Sequence, residues 1–165
     1  MYFRHLNISG CSAEERKAGY QNGSMGFISS MKENWELMRL QRKMAGLFPS
    51  FKEQNSWLQK FQQVNSHVET AHNHSHILQF LLAMFELPAR LEGCIAEAGT
   101  YKGGSTAKIS LVAAHLKRDF FVFDSFCGLP ENTEPHDKSV LGHSVKNWFT
   151  AGKFAGTLDE VKANV

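Results

Sequence analysis

The chain has 165 residues, which is enough for one domain with a substantial hydrophobic core. Hydrophobic residues make up 42% and charged residues 21% of the sequence, a composition typical of a globular protein and not of a disordered one. The formal net charge is +2 and no dense stripe of Lys and Arg is present, so no nucleic-acid partner is indicated. No apolar run reaches the roughly 18 residues that cross a bilayer, so no membrane partner is expected. The N-terminal sequence MYFRHLNISG lacks the apolar stretch of a signal peptide, and we expect a cytoplasmic protein.

The first part of the chain, residues 1–66, is predicted to be an N-terminal arm followed by a helical segment. Residues 1–30 contain several glycines and no sustained period, which predicts a mobile arm or irregular packing. Apolar residues then recur at helical spacing from about Ser30 to Gly46 and again over 53–64. The first of these helices carries basic residues, which fit either a membrane or partner surface or, as we favour, the solvated side of an ordinary amphipathic helix.

The second part, residues 67–165, has the pattern of a βαβ unit. A helix over 75–85 comes first, and a short apolar run from Gly93 to Glu97 predicts a strand. After a glycine-containing turn, Ser105 begins a second helix, and Phe120–Asp124 is a continuous apolar run that ends in an acid. Such a run is typical of a strand that is buried on both faces of a parallel sheet. The fold class is therefore predicted to be α/β, preceded by N-terminal helices.

The remaining residues predict a loop and one more helix. The segment from Gly128 to Gly156 is polar and rich in glycine and proline, and Thr157 is suited to cap a helix over 158–165. With only two convincing strands, the run at 120–123 would lie at or near an open sheet edge. That edge would be covered by a second copy in a homo-oligomer, by the N-terminal helices, or by a continuation of the chain.

The turn after the first predicted strand has the features of a nucleotide-cofactor site. Gly99 permits a tight turn, while Gly103 and Gly104 let the start of the helix approach its surroundings without a Cβ atom. Asp124 follows Gly104 by 20 residues, at the end of the next strand, where an acid accepts hydrogen bonds from ribose hydroxyls. The spacing is ExGxxxGGS and not GxGxxG, which weakens a dinucleotide interpretation, and an acid at Glu97 suits a cationic ligand better than a diphosphate.

At these residues the chain resembles a known family. The ExGxxxGGS turn, the block FVFDSFCGLPE and the C-terminal FAGTLDEVKANV resemble the macrocin O-methyltransferase family of class I S-adenosylmethionine-dependent enzymes. The resemblance covers about residues 67–165, and its most specific element is the DSFxGLP block from Asp124 to Pro130. It implies a Rossmann-like methyltransferase fold that is incomplete here, and methylation of a hydroxyl group on a small, sugar-like acceptor.

The resemblance also implies which residues bind S-adenosylmethionine. Asp124 would bind the ribose, Ser125 would line the adenosine pocket, and Phe126 would stack on the adenine. The cofactor loop would consist of Glu97, Ala98, Gly99, Thr100, Lys102, Gly103, Gly104 and Ser105.

The resembled family also indicates what residues 67–165 do not provide. Its metal-binding acids and its catalytic base lie further along the domain, so a divalent metal would require residues absent from this chain, and no catalytic residue is assigned. We therefore expect a truncated chain with weaker cofactor binding than a complete domain, and an activity that depends on the missing part. Two other functions stay open. The first is a non-catalytic module that binds cofactor or oligomerises, and the second, weaker one is a fragment of an NAD-binding oxidoreductase.

Four histidines precede the predicted βαβ unit, at His67, His72, His74 and His76. If the segment were extended, the last three would share one face and could hold zinc. On a helix, neighbours two residues apart point away from each other, so the favoured interpretations are a solvated helix entrance or a wall of the cofactor pocket. Asn73 and His74 are candidates for covering the amino-acid end of the cofactor.

Overall fold

The computed structural model describes residues 2–5, 27–131, 138–142, 144–146 and 148–165. Helices and parallel strands are mixed, an arrangement compatible with an incomplete α/β fold. In chain order the elements are β1 (Tyr2–His5), α1 (Phe27–Leu47), α2 (Phe51–His67), α3 (His74–Phe85), β2 (Ile95–Ala98), α4 (Gly104–His115), β3 (Phe120–Asp124) and α5 (Leu158–Ala163). None of these described helices is both long enough and apolar enough to cross a membrane.

The predicted helices are confirmed, and local capping explains where three of them begin. Ser50 accepts a hydrogen bond from the Glu53 amide at 3.1 Å, which starts α2. Asn73 caps α3 through a bond from the Ser75 amide at 2.8 Å. Thr157 caps α5 as the sequence predicts, accepting from the Glu160 amide at 3.1 Å.

The three strands form one parallel sheet in the order β1-β3-β2. The prediction of an arm or irregular packing for residues 1–30 is wrong for Tyr2–His5, which pair with β3, and for residues 27–30, which belong to α1; residues 6–26 lie outside the described part. Tyr2 also stacks on Phe121, with ring centroids 4.9 Å apart. A segment of four residues without alternation of polar and apolar side chains has too little pattern to predict a strand. Its pairing partner, β3, lies more than 100 residues further along the chain.

The position of β3 corrects a second expectation. Since β1 and β2 flank it, β3 is the central strand of the described sheet and not an open edge. Its burial is also one-sided: Phe120 and Val122 are 2% and 0% exposed, whereas Phe121 and Phe123 are only half-buried. The expectation of burial on both faces is wrong for the described residues. Phe120 and Val122 pack into the core formed with the helices, whereas Phe121 and Phe123 lie on the opposite face, which is only partly covered.

The hydrophobic core lies between the helices and the side of the sheet that presents Phe120 and Val122. Helix α1 contacts α2 and α3, and α4 contacts α2, α3 and β3, so the four long helices form one layer. An aromatic cluster is part of this layer: Trp57 meets Phe61 at 5.7 Å and Phe85 at 4.9 Å between ring centroids. The helical layer thereby fixes α4, and with it the turn between β2 and α4.

Candidate functional site

Gly99 forms the turn that leaves β2. Its φ is +87°, a left-handed conformation that favours glycine, and its amide donates a hydrogen bond to the Phe123 carbonyl at 2.9 Å. A Cβ atom at this position would have no atom within 4 Å. The backbone here is therefore uncovered, as a turn that passes close to a ligand requires.

Asp124 joins the ends of the two neighbouring strands. Its Oδ2 accepts hydrogen bonds from the Thr100 amide at 2.6 Å and from the Thr100 hydroxyl at 3.2 Å. Its Oδ1 accepts from the Phe126 amide at 2.6 Å. A carboxylate has about four lone-pair sites, so acceptor capacity remains for a further donor. Asp124 is placed at the carboxyl end of β3 as the sequence predicts, and it also organises the turn after β2.

Glu97 has one carboxylate oxygen that is buried and unsatisfied. Its Oε1 accepts a hydrogen bond from the Ser105 hydroxyl at 2.6 Å. The other oxygen, Oε2, is buried and has no hydrogen-bond partner among the described residues. Burial raises the pKa of Glu97, and the negative charge of Asp124 adds to this, while the nearby hydroxyls of Ser105 and Thr106 oppose it. A buried carboxylate oxygen without a donor is costly, and a cationic or hydrogen-bond-donating ligand would relieve that cost.

A cavity of about 270 Å³, here called the strand-edge cavity, lies beside Glu97 and Gly99. Its volume is close to the lower end of the range for small-molecule sites, about 300 Å³. Phe80, half exposed, provides an aromatic surface. The lining consists of His72, His76, Ile77, Phe80, Ala96, Glu97, Ala98, Gly99, Ser105 and Ile109. Four of the predicted cofactor residues, Glu97, Ala98, Gly99 and Ser105, thus meet at one cavity, and the others lie outside its lining.

The histidine cluster divides between different surroundings. His72 and His76 line the strand-edge cavity, and burial lowers the pKa of His72, with smaller contributions from Lys108 and His76. His67 instead lies 2.8 Å from the Gln63 carbonyl through its Nδ1. No group of three or more His, Cys, Asp or Glu side chains within the described residues is arranged to hold a metal ion.

The two residues proposed to cover the amino-acid end of a cofactor lie elsewhere. Asn73 is the N-cap of α3, and its Oδ1 accepts from both the amide and the hydroxyl of Ser75. His74 is exposed and lines a different cavity from the one beside Gly99. Asn73 thus caps α3 and does not reach the strand-edge cavity. The histidines that line this cavity are His72 and His76, two residues before and two residues after His74.

Gly103 and Gly104 allow close packing inside the protein. A Cβ on Gly104 would lie 2.7 Å from Cγ2 of Thr70, and one on Gly103 would lie 3.3 Å from Cγ1 of Val161. Gly103 also has a φ of +88° and provides no side-chain cap for α4. Of the three glycines in the turn, Gly99 alone has open space where its Cβ would be, so the other two are explained by packing.

Lys102 and the neighbouring Tyr101 point toward Glu69. The ammonium of Lys102 and the hydroxyl of Tyr101 donate to the two carboxylate oxygens of Glu69, at 2.5 and 2.7 Å. These donors lower the pKa of Glu69, and the same contact with Glu69 raises that of Lys102. The carbonyl of Lys102 accepts from the Asn164 side chain at 2.9 Å. Lys102 therefore anchors the turn to α5 and to the segment before α3. No local pattern indicates these roles for Glu69 or Asn164, because both are remote from Lys102 in the chain.

Ser125 and Phe126 belong to a turn that closes on itself. The Ser125 hydroxyl lies 3.3 Å from both the Gly128 carbonyl and the Cys127 amide. Phe126 has a φ of +58° and is only 7% exposed. Stacking of Phe126 on an adenine ring would therefore require this turn to rearrange, and its assignment to the cofactor remains a prediction.

Comparison with protein-family models, with curated proteins and with solved structures finds no match for this chain. The similarity of its motifs to macrocin O-methyltransferases therefore stays a resemblance. The residues at the end of the sheet are the ones that bear on function. There, two acids, an uncovered glycine turn and a cavity lie together.

Proposed function

We propose that the carboxyl end of β2 and β3 binds S-adenosylmethionine, and that the chain is an O-methyltransferase, or part of one, acting on a small hydroxylated acceptor. One observation carries the proposal: Glu97, the next-to-last residue of β2, and Asp124, the last residue of the neighbouring parallel strand β3, lie beside the uncovered turn at Gly99. In open α/β sheets, ligands bind outside the carboxyl ends of the strands, where a glycine turn lets them approach the backbone.

The unsatisfied oxygen of Glu97 favours a ligand with a positive charge. S-adenosylmethionine carries an ammonium group and a sulfonium centre, and either would interact favourably with a buried carboxylate. The ammonium would also provide the hydrogen-bond donor that Oε2 of Glu97 lacks among the described residues. Asp124, through its remaining acceptor capacity, would bind a ribose hydroxyl.

The same geometry disfavours a dinucleotide. A pyrophosphate binds where glycines at the helix start leave backbone amides uncovered. Here the start of α4 is covered, because Thr70 lies against Gly104 and Val161 against Gly103. A carboxylate at Glu97 would also repel a diphosphate. NAD is therefore the weaker candidate.

For methyl transfer, the protein has to hold the acceptor oxygen in line with the sulfonium methyl group and remove its proton. S-adenosylmethionine supplies the methyl group. We expect Gly99, Glu97 and Asp124 to bind and orient the cofactor, whereas no residue of this chain is assigned as the base that removes the proton. The described residues contain no group of three or more His, Cys, Asp or Glu side chains that could hold the divalent metal implied by the resemblance.

Calorimetric titration of the full chain with S-adenosylmethionine, S-adenosylhomocysteine and NAD tests the proposal. Both adenosyl ligands should bind and NAD should not. Glu97→Gln keeps the size of the side chain and removes its charge, and it should weaken S-adenosylmethionine binding by roughly 10-fold or more, the size of a lost charge-assisted bond. Asp159→Asn, at an exposed position on α5, is the control and should bind as the native chain does. Binding of NAD alone would refute the proposal, and binding of none of the three would favour the non-catalytic module.

A further inference from the structure

A second cavity, here called the helix cavity, lies among the helices. Its volume is about 370 Å³, within the range of small-molecule sites. The inner lining is apolar and includes Phe61, Leu78 and Leu81, all of them buried. Gln41 and His74 are exposed lining residues and place polar groups where the cavity meets solvent. An apolar floor with a polar rim is the usual construction of a site for a small organic molecule.

Lys108 lines this cavity and is buried without a partner. The residue is 1% exposed, and its Nζ has no hydrogen-bond partner among the described residues. Asn65, another lining residue, has a buried Oδ1 that is also without a partner in that part of the chain. Buried polar groups are almost always satisfied, and a buried ammonium is among the costliest to leave unpaired. Two unpartnered polar atoms in the lining of one cavity indicate a ligand with polar groups of its own.

The surroundings of Lys108 show what charge this group should have. No acid is found among the described residues that line the helix cavity. Burial is the cause that lowers the pKa of Lys108, to about 8, so at neutral pH the side chain is still an ammonium. The nearby His72 has a lowered pKa, partly because of Lys108, and is not a counter-charge. The missing partner of Lys108 is therefore an anion or a strong hydrogen-bond acceptor from outside these residues.

We propose that the helix cavity is a binding site for a small carboxylate with a short apolar chain, whose carboxylate pairs with Lys108 while its apolar chain lies against Phe61, Leu78 and Leu81. A carboxylate supplies the acceptor that Nζ lacks, and a hydroxyl group on such an acid would donate to Oδ1 of Asn65. The apolar lining contributes affinity through burial of the hydrocarbon part.

This site is separate from the strand-edge cavity. The two cavities share only Ile77 of α3 in their described linings, and the acid at Glu97 belongs to the other one. Binding of a carboxylate at Lys108 therefore does not depend on whether the chain binds S-adenosylmethionine, and either proposal can fail while the other stands.

Isovalerate and its neutral amide, isovaleramide, have the same branched chain and form a matched pair of probes. Both are titrated into the full chain while amide chemical shifts are followed by NMR. We expect isovalerate to bind, with its shift changes at α2, α3 and α4, and to bind at least 10-fold more tightly than isovaleramide. Lys108→Met removes the charge at similar length and should weaken isovalerate binding by roughly 10- to 100-fold, the range of a charge-assisted hydrogen bond. Lys52→Met, at an exposed lysine of α2, is the control and should change nothing.

Equal binding of acid and amide, or equal binding of isovalerate to the native chain and to Lys108→Met, would overturn the proposal. So would the absence of any shift change up to millimolar isovalerate, which would leave a cavity filled by water only. If Lys108→Met failed to fold, the comparison of acid and amide on the native chain would still decide the matter.

Discussion

The carboxylate of Asp124 accepts a hydrogen bond from the backbone amide of Thr100 at 2.6 Å, across 24 positions of sequence. The contact joins the turn after β2 to the end of β3, the strand that lies beside it. Asp124 therefore has two roles. Its carboxylate stabilises the turn, and its remaining acceptor capacity is available to a ligand at the end of the sheet. The first role predicts that substitutions at Asp124 lower the stability of the protein.

Asp124→Asn should destabilise the protein. The amide side chain keeps one oxygen but replaces the other by an NH₂ group, which would face the amide of either Thr100 or Phe126. Loss of one charge-assisted bond and an unfavourable contact between two donors should lower the free energy of unfolding by about 2–3 kcal/mol. Urea denaturation measures it. Asp119→Asn, at an exposed acid just before β3, should change stability by less than about 0.5 kcal/mol. Similar losses for both variants would show that the Asp124 contact is not structural.

Gly156→Ala should disturb the turn between β2 and α4, because Gly156 packs against the backbone of that turn. A Cβ atom on Gly156 would overlap with the carbonyl oxygen of Tyr101, whose backbone cannot move away like a flexible side chain. Overpacking of this kind typically costs about 1–3 kcal/mol, and a clash with backbone should reach the upper end. Gly46→Ala is the matched control, because a Cβ there meets nothing within 4 Å and the position is in α1. That change should stabilise the protein by about 0.5–1 kcal/mol. A Gly156→Ala variant as stable as the native chain would contradict the described packing.

Lys108→Met should stabilise the protein at neutral pH and alter its pH dependence. Burial lowers the pKa of Lys108 from 10.5 in the unfolded chain to about 8 in the folded one. Below pH 8 the lysine is charged in both states and the full cost of burying it is present, whereas above pH 10.5 it is neutral in both states and the cost is gone. The advantage of Lys108→Met should therefore be roughly 3 kcal/mol at pH 7 and shrink as the pH rises through this window. Urea denaturation from pH 7 to pH 11 checks it, and a constant difference would contradict it.

Much of the helical layer could be predicted from the sequence, since apolar spacing and caps such as Thr157 are local signals. The βαβ unit was equally visible in the run at 120–124. The strand at Tyr2–His5 was not, because strand pairing depends on a partner remote in sequence, and a run of four residues has too little pattern. The one-sided burial of β3 was missed for the same reason: an apolar strand sequence cannot show which elements cover it.

The sequence predicts which residues lie in the candidate site, but it does not predict the contact that each of them makes. Gly99, Glu97 and Asp124 were found by their spacing, and the structure places all three at the ends of neighbouring strands. That Gly104 packs against Thr70, or that Lys102 pairs with Glu69, depends on tertiary contacts that no local pattern encodes. A lone lysine inside the apolar sequence of α4 was the one signal that could have drawn attention to Lys108.

The most direct test of adenosyl-cofactor binding at the turn is a calorimetric titration of S-adenosylhomocysteine into Gly99→Ala and Gly142→Ala. The two glycines have φ values of +87° and +80°, and a Cβ on either meets nothing within 4 Å, so both variants carry similar strain, about 1–2 kcal/mol. Only the Cβ at Gly99 would stand where the ligand should pass. The native chain and Gly142→Ala should bind alike, and Gly99→Ala should lose at least about 10-fold in affinity, or 1.4 kcal/mol. Equal binding by all three chains, or no binding by the native chain, would contradict the assignment of this turn to the cofactor.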